Sequence, residues 1–200
     1  MNHAAVAARP RVLADVVPRI RARDLALVLG GALLTALCAQ IAIPVPGSPV
    51  PITGQTFAVL LCGAALGANR GASSMALYAT LGLVGLPFYS EGGSGPEVVF
   101  GATGGYIFGF MVTAWVVGRL AEREHDRTPA KALPLFALGS AIIFACGVPW
   151  LAVAADMTAV QALDAGLVPF IPGGILKALA AAALLPAAWR LVDRQRGSSR

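Results

Sequence analysis

The chain has 200 residues, 57% of them hydrophobic and only 12% charged, with a formal net charge of +5. Soluble proteins are about a quarter charged, so half that fraction, with a mean hydropathy of +0.74, excludes an ordinary soluble domain and points to an integral membrane protein. The length fits one membrane domain and leaves no room for a sizeable second one.

Residues 1–24 carry Arg9, Arg11, Arg19, Arg21 and Arg23 without a continuous apolar stretch and cleavage site. They read as a cytoplasmic tail able to hold a surface helix, not as a signal peptide. Six apolar segments follow, over about 25–43, 52–68, 72–88, 98–118, 133–153 and 169–189. The expected fold is an all-α integral membrane protein, a compact bundle of six transmembrane helices over 25–190, with a cytoplasmic tail over 191–200. The first, fourth, fifth and sixth segments reach the roughly 20 residues that a spanning helix needs. The second and third are shorter and separated only by Ala68-Asn69-Arg70-Gly71, which predicts a tight turn.

Between the first two segments lies IPVPGSPVPITGQTF (43–57), with four prolines around Thr53 and Gln55. Proline stiffens a loop and removes backbone donors. Non-helical backbone at membrane depth must be covered by protein or line a cavity. Further on, GLPFYSEGGSGPEVVFGATGGY (85–106) carries Tyr89, Ser90, Glu91, Ser94, Thr103 and Tyr106. Gly105 and Gly109 form a small-xxx-small pair suited to close helix contact. The fifth segment runs through GVPW (147–150), and the next loop holds Asp156 and Asp164. Trp150, Tyr89 and Tyr106 either anchor the chain at the membrane interface or line a ligand pocket.

Fourteen of the fifteen Lys and Arg residues fall in four regions: the N-terminal tail, the 69–71 turn, the 119–132 loop and the C-terminal tail. With six spans all four share one side, which the positive-inside rule makes cytoplasmic. The opposite loops, about 44–51, 89–97 and 154–168, hold Glu91, Glu97, Asp156 and Asp164 and no basic residue. The positive charge is thus an orientation signal; no basic–aromatic patch points to nucleic acid.

Several chemistries find no support. There is no G-x-x-x-x-G-K-[ST], hence no ATPase within the chain. Cys38, Cys62 and Cys146 have no metal or redox spacing and read as packing residues. His3 and His125 lie far from any nucleophile motif, and Ser94 does not complete G-x-S-x-G. The glycines of 101–110 follow no strand, so they are no dinucleotide fingerprint. Neither an enzyme, a cofactor nor a metal site is expected.

The remaining basic residue, Lys177, stands alone in PFIPGGILKALAAAALLPAAW (169–189). If the helix starts near Pro172, Lys177 lies about 7 Å below the outer boundary. One reading has it snorkelling outward. The other turns it inward to a partner, as charges in membrane segments usually are. That partner could be Asp156, Asp164, Glu91, Glu97 or a bound anion, which the free N–H groups of a helix opened by Pro172-Gly173-Gly174 would also favour.

Six motifs in order carry a resemblance: Pro51-Ile52-Thr53-Gly54-Gln55-Thr56, Gly85-Leu86-Pro87, Thr103-Gly104-Gly105-Tyr106 with Gly109-Phe110, Gly147-Val148-Pro149-Trp150, Pro169-Phe170-Ile171-Pro172-Gly173, and Lys177. Over about residues 25–190 the chain resembles the BioY family, substrate-binding S components of energy-coupling-factor (ECF) biotin transporters. The resemblance implies a six-helix bundle in the cytoplasmic membrane, with lipid around it and both termini inside. It implies biotin near the outer face, between the loop after the first helix and the last three helices, and Lys177 on the biotin carboxylate. Thr53, Gln55, Tyr89, Ser94, Tyr106, Trp150, Asp156 and Asp164 are the other candidate binding residues. It implies a transmembrane T component and two ATP-binding subunits as partners, docked on an Ala-x-x-x-Ala of the first helix; Ala32 and Ala36 fit, as they also fit ordinary packing. Working alone, as a homo-oligomer or with the coupling module all remain open. Two departures stand out. Gly174 occupies a position where the family usually has an aspartate for the ureido ring, leaving Asp156, Asp164 and Glu91 as alternatives. Ala102 replaces a common proline. Rival readings are an S component for another small carboxylate such as dethiobiotin, or a ligand-free structural membrane protein.

Overall fold

The computed structural model describes residues 11–16 and 22–198, so Arg9, Arg19, Arg21 and Arg200 of the expected tails lie outside the described residues. The elements are α1 (Arg23–Ala39), β1 (Ala42–Ile43), β2 (Ile52–Thr53), α2 (Gln55–Leu66), α3 (Ala68–Leu83), α4 (Pro96–Val99), α5 (Gly104–Ala121), α6 (Pro129–Ala154), α7 (Ala159–Gly166) and α8 (Ile171–Ser198). The longer helices α1, α2, α3, α5, α6 and α8 each overlie one predicted apolar segment. Among the described residues three stretches are long and apolar enough to cross a membrane: Gly104–Ala121, Pro129–Ala154 and Ala159–Gln195. α2 is apolar but shorter. Many large apolar side chains face outward, among them Leu25, Leu33 and Leu37 on α1 and Ile175, Leu176 and Leu179 on α8. Exposure on that scale fits a lipid-facing surface.

The structure departs from the sequence expectations in several places. The break between α2 and α3 is Gly67 alone, at φ 87° and ψ 174°, a conformation that is essentially glycine-only. Glu122 then caps α3, accepting the Ala68 N–H at 2.9 Å, so residues 68–71 form the first turn of α3 instead of a loop. The proline-rich stretch folds as an antiparallel hairpin, with Ala42 opposite Thr53 and Ile43 opposite Ile52. Its return is pinned to α1, because the Gly54 N–H donates to the Cys38 and Ile41 carbonyls at 3.1 and 3.0 Å. α8 continues through Ser198, so 191–198 extends the last helix. In the N-terminal segment, Val12 and Ala14 are buried instead of lying on a surface.

Two apolar clusters stack along the bundle. One holds Tyr78, Tyr89, Tyr106, Ile107, Phe110 and Ile143. The other holds Val12, Leu60, Val117, Leu135, Phe136 and Leu185. Close approach of α5 and α6 depends on the expected glycines. A Cβ on Gly105 would sit 2.2 Å from the Trp150 Cβ, and one on Gly109 would sit 3.1 Å from the Cys146 Cβ. Reciprocally, a Cβ on Gly147 would lie 2.3 Å from the Tyr106 ring. The TGGY and GVPW motifs thus interlock.

Beneath the second cluster, the charged regions converge on one end. Arg70 reaches Asp15 at 3.1 Å, Glu122 caps α3, and the Trp189 indole N–H donates to Asp126 at 2.6 Å. Ala32 and Ala36, the expected docking pair, are only 1% and 7% exposed and pack into the first cluster. The reason is the approach of α3, where a Cβ on Gly31 would meet the Ser74 hydroxyl at 2.6 Å. The pair has the right spacing but lies on the inward face of α1.

Candidate functional site

At the other end the hairpin, α2, α5, α6 and α8 surround a cavity with about 680 Å³ of atom-free space, counted out through its open mouth. α8 contributes Gly174 and Lys177, one turn apart on the same face. α5 and α6 contribute Tyr106, Phe110, Ser140 and Phe144, and Phe170 closes one side. The aromatic walls are braced edge to face: Tyr106 and Phe144 centroids lie 6.4 Å apart, and Phe144 and Phe170 centroids 6.1 Å apart.

Lys177 points inward, not to the interface. Its ammonium donates to the Thr53 carbonyl at 2.5 Å and to the Thr56 hydroxyl at 3.0 Å. Both partners belong to the hairpin return and the start of α2, so the lysine ties α8 to that return. Among the described residues no carboxylate lines the cavity. A cation held only by neutral oxygens in an apolar surround is short of countercharge.

The expected site residues separate into two groups. Thr53, Gln55, Tyr89, Tyr106 and Lys177 line the cavity. The Thr53 hydroxyl donates to Gln55 Oε1 at 2.7 Å, and Gln55 Nε2 donates to the buried Tyr78 hydroxyl. Tyr89 is 1% exposed, donates to the Ala79 carbonyl at 2.5 Å, and meets Tyr78 edge to face. Tyr106 donates to the Gly166 carbonyl at 2.8 Å, which fastens the end of α7 to α5. The aromatic-belt reading therefore does not describe Tyr89 or Tyr106.

The second group lies elsewhere. Trp150 is 39% exposed and donates to the Gly101 carbonyl at 2.9 Å, outside the cavity lining. Ser94 is not part of that lining either. Asp156 and Asp164 border a separate, open cleft with Ser48 and Gln161, because the chain turns at Asp156 (φ 51°) and α7 carries Asp164 away. Glu91, at φ 58°, is exposed in a loop. None of the acids suggested as substitutes for the one missing at Gly174 faces the cavity.

The candidate binding residues did not include Thr56, Phe110, Ser140, Phe144 and Phe170, although Thr56, Phe110 and Phe170 stand in the motifs that carry the resemblance. A local signal existed for three of them. Thr56 directly follows Gln55, and Ser140 is the only hydroxyl in the 133–153 segment. Phe144, four residues on, shares its helical face.

The BioY family model matches residues 9–194. The biotin transporter BioY of Thermotoga maritima is 38% identical over 140 residues, covering 70% of this chain and 81% of that protein. The biotin transporter BioY of Rhizobium etli is 35% identical over 170 residues, covering 81% and 90%. A crystal structure of the S component for biotin from an ECF-type ABC transporter superposes with a TM-score of 0.74 at 22% identity, covering 86% of this chain and 95% of that one. With the family model spanning nearly its whole length, the chain belongs to the BioY family.

Proposed function

We propose that the protein captures biotin at its outer face and takes it into the cell as the S component of an ECF-type transporter in the cytoplasmic membrane. The observation that carries this reading is Lys177, an ammonium inside an aromatic-walled cavity with no carboxylate among its described lining residues. Biotin supplies what the cavity lacks: a carboxylate for the lysine and an apolar bicyclic body for the aromatic walls. The chain would cross the membrane six times with both termini cytoplasmic; the convergence of the basic regions on one end supports this arrangement. Lacking a P-loop, it would depend on a T component and two ATP-binding subunits for energy.

Docking through the first helix would use outward-facing small residues. Ala26 and Gly30 are exposed at the required spacing, and nothing approaches within 4 Å of a Cβ built on Gly30. Gly30→Leu is expected to reduce copurification with the T component while leaving biotin binding intact, and Ala36→Gly to leave copurification unchanged.

The test of the main reading is equilibrium binding of labelled biotin to purified protein, with dethiobiotin as competitor. Saturable biotin binding that also raises the melting temperature is the expected outcome. The vacant acid position at Gly174 favours one rival, a carboxylate ligand with a different head group. Dethiobiotin displacing biotin at lower concentration than biotin itself would favour that rival.

A further inference from the structure

The cavity's hydroxyl groups differ in what their protons do. Carbonyl oxygens only accept, so a hydroxyl bonded to one has committed its proton and keeps its oxygen as an acceptor. Thr103 donates to the Val98 carbonyl at 3.1 Å and Ser140 to the Phe136 carbonyl at 3.0 Å. The Thr103 bond joins α4 to α5 and is structural. The Ser140 bond only runs back to the preceding turn of α6. A back-bonded serine does nothing for a helix that alanine would not do better. Yet Ser140 is the sole hydroxyl in its apolar segment, and it lines the same cavity as Lys177.

We infer that Ser140 is a specificity-determining residue: its oxygen accepts a ureido N–H of biotin. The inference rests on the biotin reading above. A ureido ring brings two N–H donors into the cavity, and a donor buried without a partner costs about 1–3 kcal/mol. The described lining offers no carboxylate to receive them. Ser140 presents an acceptor whose proton is already engaged, so the group cannot turn round and offer a competing donor.

The experiment compares labelled biotin with biotin methylated at its ureido nitrogens, on wild type and Ser140→Ala. Wild type is expected to bind the methylated analogue at least about tenfold more weakly than biotin, and Ser140→Ala to weaken biotin about tenfold. The variant should distinguish the two ligands less than wild type does. Gly174→Asp provides a second route, since nothing lies within 4 Å of a Cβ there and the position faces the cavity. A carboxylate at that position should restore biotin affinity to Ser140→Ala. Unchanged biotin affinity in Ser140→Ala, or an equal loss for both ligands, would overturn the inference while leaving biotin binding itself intact. Equal affinity of wild type for both ligands would overturn it without reference to any variant. Failure of wild type to bind biotin would instead remove the functional reading and this inference with it.

Discussion

The two ends of the bundle treat charge in opposite ways. At one end Asp15, Arg23, Asp24 and Arg70 answer each other: Arg23 meets Asp24 at 3.0 Å, and Arg70 meets Asp15 and Asp24 at 3.1 Å each. These pairs fasten the N-terminal segment, α1 and α3 together. At the other end Lys177, the sole basic residue among those described in the cavity lining, has neutral oxygens for partners. A partly exposed ion pair contributes little and costs little. An ammonium withdrawn from water without a counterion is a standing cost to the fold. The first arrangement is structural; the second makes sense if the missing charge arrives with a ligand.

The largest test of that contrast is Lys177→Ala. Truncating one partner of a desolvated charge pair costs about 3 kcal/mol, or roughly a hundredfold in affinity. Biotin binding is therefore expected to fall by about that factor. Ligand-free melting should stay level or rise, because the variant no longer desolvates a charge. A variant that melts early yet binds biotin normally would make Lys177 a structural strut and erase the contrast between the ends.

Gly147→Ala probes the cavity-bearing half through packing. The added Cβ would meet the Tyr106 ring at 2.3 Å and push the ring from its bond to the Gly166 carbonyl. Overpacking of this kind costs about 1–3 kcal/mol. Both melting temperature and biotin affinity should drop, since Tyr106 belongs to the core and to the cavity wall. Loss of stability alone would separate the core from the site.

Arg70→Ala is the counterpart at the paired end. Its partners Asp15 and Asp24 are partly exposed, so the expected loss is about 1 kcal/mol, smaller in high salt. Biotin affinity should not change. A larger loss, insensitive to salt, would mean that this cluster is as withdrawn from water as Lys177.

How far the sequence could be read follows the same physics. Hydropathy marked the six long helices because each apolar run is continuous over many turns. It could not mark the hairpin, whose strands are two residues each, too short for any period. Gly67 was hidden because a single residue with positive φ makes the break, while the polar Asn69 and Arg70 beside it draw the turn one step too far along the chain. The Ala32 and Ala36 spacing identified a face of α1 without saying which way it looks; only packing against α3 decides that. Asp156 and Asp164 were candidates as acids of the loops opposite the basic regions, but a turn and a short helix carry them to another cleft. Lys177 itself was legible for a simple reason: one charge in a long apolar run has few roles open to it.

Asp126 offers the smallest and finest test, because it breaks the rule that the charge-rich end pairs its charges. It is fully buried in the loop between α5 and α6; Oδ2 accepts from Trp189, and Oδ1 has no hydrogen-bond partner. The Arg127 guanidinium lies over the same indole at 3.5 Å. Burial pushes the Asp126 carboxyl above its ordinary value, with the Trp189 bond and Arg127 pulling back. The folded state therefore holds this proton to a higher pH than the unfolded chain does. The site's contribution is full below the ordinary carboxylate pKa and is lost as pH rises through the folded value. Asp126→Asn keeps an oxygen for the indole and removes the titration. Its melting temperature should vary less between acidic and neutral pH than that of wild type, and at neutral pH it should equal or exceed wild type. A variant with the wild-type pH slope would show that Asp126 is ionised in the fold, placing it with the paired charges around Arg70.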